Sequence, residues 1–251
     1  MSRLACLVMG SLVLTGKLYA HEFWIEPSVL MPALDEKLNV QVRVGEHFEG
    51  ELFPFQPRAY EAAYWIGPET VLPLHTQPLA QRDLSLSAQG DGLHILAIAS
   101  FGRTLTYTSL SEFEAFAAEV GASAVLAGVQ LQAEQDGTLQ ETYRRFSKML
   151  VHFGSKSGAD KRLGLEYEWV QSDKGIALFS PQGRVPHHPV DLFCRQSNGQ
   201  VRQHRLYTDS TGQVLPDVAM AERCMINAVF LTPSKTSKRW SSDWVSMFWV
   251  N

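Results

Sequence analysis

Residues 38–45, LNVQVRVG, alternate strictly. Leu38, Val40, Val42 and Val44 fall on one side, Asn39, Gln41 and Arg43 on the other. A period of two spells a strand with one buried face. Residues 58–67, 71–75, 82–88 and 92–101 carry further strand patterns, and Gly, Pro and polar stretches divide them. This run of short strands predicts an antiparallel sandwich. The period changes at 109–121, where Phe113, Phe116, Ala117 and Val120 recur at helical spacing. Ser111 and Glu114 have the spacing of a capping box, and Gly121 has that of a C-terminal stop. Residues 138–154 begin as helix or extended chain and become strand-like near Lys148, while 121–140 show no clear period.

A stretch rich in Gly, Ser and charge, 154–164, then interrupts the pattern. Five strand-like runs follow it, at 174–180, 189–196, 201–209, 223–231 and 243–250, with turn residues between them. The expected fold is mostly β: two antiparallel β-sandwich domains, immunoglobulin-like or transthyretin-like, with one or two short helices. The first would span 21–154 with a helical insertion, the second 165–251. Trp244 and Phe248 share strand parity and would fill the second core. Trp249 points the other way and would pack between the domains.

The first 20 residues have the form of a secretory signal: Arg3, an apolar run over 4–14 too short to span a membrane, and Ala20 at the expected cut. No later segment reaches the ~18 apolar residues of a span. A periplasmic protein is therefore expected, with no membrane insertion after cleavage and His21 as its first residue. Loss of the two leader cations, Arg3 and Lys17, takes the formal charge from −4 to −6. That balance argues against nucleic acid or an anionic membrane surface as partner, since both demand a basic face. Two cysteines remain after cleavage, Cys194 and Cys224, each in an apolar strand-like run, and an oxidising compartment favours a disulfide between them. Two buried thiols are the alternative.

An N-terminal histidine offers two nitrogen donors, the α-amine and imidazole Nδ1, which can close a chelate ring on one ion. One further imidazole makes a three-nitrogen site suited to Cu(II) or Ni(II), whereas zinc prefers a tetrahedral set. The best second ligand is His47, directly after the first alternating strand, with Glu46, Glu49 or Glu51 available as an oxygen donor or a supporting acceptor. His94, with Leu93, Ile95 and Ala97 on the opposite face, would point outward from its strand. His152 would be a strand or core histidine, and His187 and His188 would lie in an exposed loop. No GxSxG, HExxH, P-loop or CxxC pattern is present, and no enzymatic activity is expected.

AHEFWIEPS at the mature start, VRVGEHFEGE, EFEAFAAEVG, ETYRRFSKMLVHFG followed by LGLEYE, YTDSTGQV and the closing WSSDWVSMFWV occur in this order along the chain. In them the chain resembles a bacterial family of exported proteins of unknown function, labelled as nickel- or cobalt-uptake related or as the periplasmic component of a cobalt transport system. The resemblance implies a transthyretin-like second half, a nickel or cobalt ion as ligand, and a membrane metal transporter as partner. The leading expectation is thus a metal-binding protein for nickel, cobalt or copper, holding the ion with His21 and His47. One alternative is a periplasmic interaction or glycan-binding module without metal. Another is a histidine-brace copper oxidase acting on polysaccharide, which would need a flat substrate face around His21.

Overall fold

The computed structural model describes residues 22–76, 84–127, 129, 131, 133–134, 137–219, 221–233 and 239–251. Its strands are β1 (Glu22–Pro27), β2 (Leu38–Glu46), β3 (Glu49–Phe53), β4 (Tyr60–Ile66), β5 (Val71–Pro73), β6 (Leu84–Leu86), β7 (Gly92–Ser100), β8 (Arg103–Tyr107), β9 (Leu139–Phe153), β10 (Glu168–Ser172), β11 (Gly175–Ser180), β12 (Gly183–Arg184), β13 (Pro189–Gln196), β14 (Val201–Tyr207), β15 (Gln213–Val214), β16 (Ala221–Pro233) and β17 (Arg239–Val250). Two helices, α1 (Leu110–Glu119) and α2 (Ser123–Leu126), complete them. The fold is mostly β, with antiparallel sheets stacked in layers. Neither helix is long and apolar enough to cross a membrane.

The central layer is a nine-stranded sheet in the order β14-β13-β16-β17-β9-β7-β4-β5, with β8 also paired to β9. β9 organises it. One edge of β9 runs parallel to β17 from Arg239↔Gln140 to Trp249↔Leu150, and the other takes β8 on its first half and β7 on its second. All its other pairings are antiparallel. Strands from both sides of the 154–164 stretch therefore share one sheet. Residues 139–153, part of a segment ambiguous between helix and strand in sequence, are strand throughout.

Both faces of this sheet are covered, which explains its near-continuous apolar runs. On one face Leu96, Ile98, Met149, Val151 and Phe248 pack under the sheet β1-β2-β3, to which β6 adds. Farther along that face α1 lays Phe113 and Phe116 on Trp240 and Trp244. On the opposite face Ile95, Leu150, Ile226 and Trp249 pack against Trp169, Ile176 and Leu178 of the sheet β10-β11-β12, to which β15 adds. Trp244 and Phe248 do share a face, but they enter different clusters.

Two local readings change. The cap of α1 is Ser109, not Ser111: its hydroxyl accepts from the Glu112 amide, and Glu112 accepts from the Thr108 amide and hydroxyl. The box has simply moved two residues upstream. Gly121 does close the helix with φ +73°, and the amide of Ala122 reaches back to the carbonyl of Ala117. His94 does not point outward. Both faces of β7 are buried, so the ring lies fully enclosed, stacked on Trp65 and against Phe153, where burial lowers its pKa.

The stretch after β9 is fastened to the sheet by a buried cation. Lys148 Nζ lies 2.6 Å from Asp160 and 3.2 Å from Glu168, and also donates to the carbonyls of Lys161 and Trp169. All three charged side chains are almost wholly buried. Cys194 and Cys224 face each other in register on β13 and β16, their Cα atoms 4.1 Å apart and their sulfurs bonded.

Candidate functional site

The hairpin β2–β3 is built to be tight. Gly45 pairs with Gly50, and Glu46 pairs with Glu49. A Cβ on Gly50 would stand 2.8 Å from the Trp24 ring and 2.6 Å from the Val44 carbonyl, so neither neighbour would have room. Between the paired glutamates stand His47 and Phe48, with φ of +55° and +64°. Two positive φ values mark a type I′ connection, which normally takes Asn-Gly. Bulky residues there are strained by ~1–3 kcal/mol each and persist only where surrounding contacts enforce them. Phe48 supplies that enforcement. It is buried against Trp24 and Phe248, Arg195 stacks over its ring at 5.3 Å, and the same guanidinium donates to its carbonyl at 2.7 Å.

His47 is consequently held outward and exposed, on a tip anchored through Phe48. Its Nδ1 is 2.8 Å from the Gln203 side-chain oxygen, which only accepts. In the tautomer that donates from Nδ1 to this oxygen, the Nε2 lone pair faces away from the bond. β1 begins beside this tip, because Glu22 pairs with Gly45. Glu22 is half-buried, and its Oε2 is enclosed without a hydrogen-bond partner. Burial, chiefly, pushes its pKa up to about 8, and the nearby acids Asp191, Glu46 and Glu119 add to the rise.

The expected signal, 1–20, and His21 lie outside the described residues. Among the described residues no group of three or more His, Cys, Asp and Glu side chains is arranged to hold a metal ion. His47 has a free imidazole nitrogen but no second described imidazole at hand. The other histidines are elsewhere. His152 is half-buried on β9, with its pKa lowered by burial first and then by Lys156. His188 is not in an open loop: its ring stacks on Phe230 at 4.3 Å and its Nε2 meets the Val229 carbonyl. His187 is exposed with φ +55°.

Beside the His47 tip a cavity of about 850 Å³ opens between the two sheets. Its roof is β1–β3, where Phe23, Val44 and Glu51 are in register. Its floor is β8 and β9, where Arg103 pairs with Tyr143, and Arg145 lies two residues farther on the same face. The Arg145 guanidinium is 5.2 Å from the Phe23 ring and 5.0 Å from the Tyr143 ring. Burial, with Arg103 nearby, lowers its pKa. Tyr60 lines the same space, its hydroxyl pushed up to about 12 by burial.

A family defined by a domain of unknown function, DUF4198, matches residues 18–180. The chain belongs to the DUF4198 family. No curated protein and no solved structure matches it. The DUF4198 region runs through β11 and so contains the His47 tip, Glu22 and both walls of the cavity. The groups that steady the tip from outside, Arg195 and Gln203, lie beyond it on β13 and β14.

Of the expected residues, then, His47 sits at a strained tip, and Glu46, Glu49 and Glu51 line the cavity beside it. Sequence reasoning missed Glu22, Arg103, Arg145 and Tyr60. Arg145 did leave a trace, as a cation at a position whose parity on β9 matches the buried Met149 and Val151. Glu22 left none, since a charged residue at a strand start looks solvated.

Proposed function

We propose that this protein is an exported carrier of a divalent transition metal, nickel, cobalt or copper, which it passes to an uptake or homeostasis system at the membrane. The amine and imidazole of His21 chelate the ion, Nε2 of His47 gives the third nitrogen, and a nearby carboxylate such as Glu22 can add an oxygen. One observation carries the reading: a strained hairpin tip fixes an imidazole beside the start of β1, the strand that follows His21 directly. Backbone strain held in place by neighbours clusters at functional sites. The three-nitrogen set matches the tetragonal preference of Cu(II) and Ni(II). The role proposed is binding and transfer of the ion.

The test is a copper and nickel titration, by calorimetry and, for copper, electron paramagnetic resonance. Three forms are compared: a chain starting at His21, the same chain preceded by Gly-Ser, and His47→Ala. Tight 1:1 binding that is lost on extension and weakened at least tenfold in H47A supports the site. Equal binding in the first two forms removes the amine from it. Absence of binding in all three rejects the metal reading and leaves an interaction module.

A further inference from the structure

The cavity beside the tip has two walls of opposite charge. Arg103 and Arg145 stand on the floor, and Glu49 and Glu51 on the roof, with the rings of Phe23, Tyr60 and Tyr143 between. We propose that this cavity binds a small molecule carrying a carboxylate at one end and a positive centre at the other. The reading goes beyond metal binding at His21 and His47 and does not require either residue.

Size and chemistry agree. About 850 Å³ is within the range of small-molecule sites, which are mostly apolar with a few convergent polar groups. Two like charges are brought together on adjacent strands, where they repel, and burial further disfavours the charge on Arg145. Such a pair is stabilised by an anion, and the planar fork of a guanidinium fits a carboxylate with two parallel hydrogen bonds. Among the described residues Arg103 has no carboxylate partner within the protein. Arg145 is already pre-oriented, its guanidinium fixed against Phe23 and Tyr143, so little freedom is lost when a ligand docks. The ring faces suit an apolar or flat body. The carboxylates of Glu49 and Glu51 are exposed at the roof and complement a cation. That cation has two chemical sources, the ammonium of an amino acid or a metal ion chelated by an organic acid.

The experiment uses the chain from His21, freed of metal beforehand, in calorimetric titrations with five probes: phenylalanine, 3-phenylpropionate, phenethylamine, citrate and nickel citrate. Each is repeated on Arg103→Gln and Glu51→Gln, both at exposed strand positions, after thermal melts have shown that the variants fold. Saturable 1:1 binding of phenylalanine, at least tenfold tighter than of 3-phenylpropionate or phenethylamine, supports the site with an ammonium source. Nickel citrate binding at least tenfold tighter than citrate supports it with a chelated metal. Either affinity must fall at least tenfold in R103Q, and the preference for the positive end must shrink in E51Q. Binding that is unchanged in R103Q, or no probe bound more tightly than 1 mM, overturns the proposal. Phenylalanine binding is independent of metal, so the cavity and the His21 site can fail separately.

Discussion

His47 occupies a position where its residue type is a disadvantage to the fold. At φ +55° glycine would sit without strain, and the imidazole returns only an exposed hydrogen bond to Gln203 and a distant edge contact, 6.5 Å between ring centroids, with Phe193. His47→Gly should therefore leave thermal stability unchanged or raise it by up to ~1–3 kcal/mol, while lowering copper affinity at least tenfold. A melting curve and a metal titration on one preparation check both halves, and a large loss of stability would show that His47 is there for packing. His188 illustrates the opposite situation, a histidine held for structure. Burial lowers its pKa from 6.5 to about 4. The unfolded chain binds this proton at a higher pH than the folded one. Its contribution is thus complete above pH 6.5 and declines as the pH falls towards 4, with a slope of up to ~1.4 kcal/mol per pH unit. His188→Phe keeps the stack on Phe230 and should flatten that part of the profile. Urea midpoints between pH 7 and 4 would show it, and an unaltered slope would assign the acid sensitivity to other groups.

At the scale of elements, the sequence was most legible where one face meets water. β2 was found to within a residue because its alternation is the direct image of a half-buried strand. Where both faces are covered the alternation disappears: β9 reads as ambiguous between helix and strand, and β16 and β17 read as strands but with their ends cut short. The stretch 154–164 misled for a related reason. Its charges suggest a solvated linker, yet Asp160 is buried on Lys148 with Glu168. Removing the cation from such a set leaves two buried carboxylates with only backbone amides as donors, and Lys148→Met should destabilise by ~3–5 kcal/mol. Chemical denaturation measures this directly; a loss below 1 kcal/mol would mean that water reaches the triad. The disulfide is a gentler constraint, since β13 and β16 are already paired along their length. Replacing both cysteines by serine should lower stability by ~2–4 kcal/mol and leave the strand content seen by circular dichroism intact.

For the whole molecule, the decisive link is the parallel pairing of β9 with β17. Nothing local announces it: parallel neighbours far apart in sequence share no turn, so a reading that looks for hairpins divides the chain at its least apolar stretch. The same blindness hid the cavity, whose floor and roof come from different sheets. With Trp249 and Leu150 in register, the β9 edge that a fragment 21–154 would leave open carries a long row of unpaired amides and carbonyls beside buried apolar side chains. Exposed edges of this kind pair with other copies. Full-length protein should accordingly unfold in one cooperative transition. The fragment 21–154 should aggregate, or stay without the near-ultraviolet dichroism of fixed tryptophans, even though it retains most of the matched family region. Mixing it with a separately made 165–251 fragment should restore the native signal if β17 docks on β9. A monomeric fragment 21–154 with its own sharp melting transition would show instead that the N-terminal half is an autonomous domain and that β17 merely rests against it.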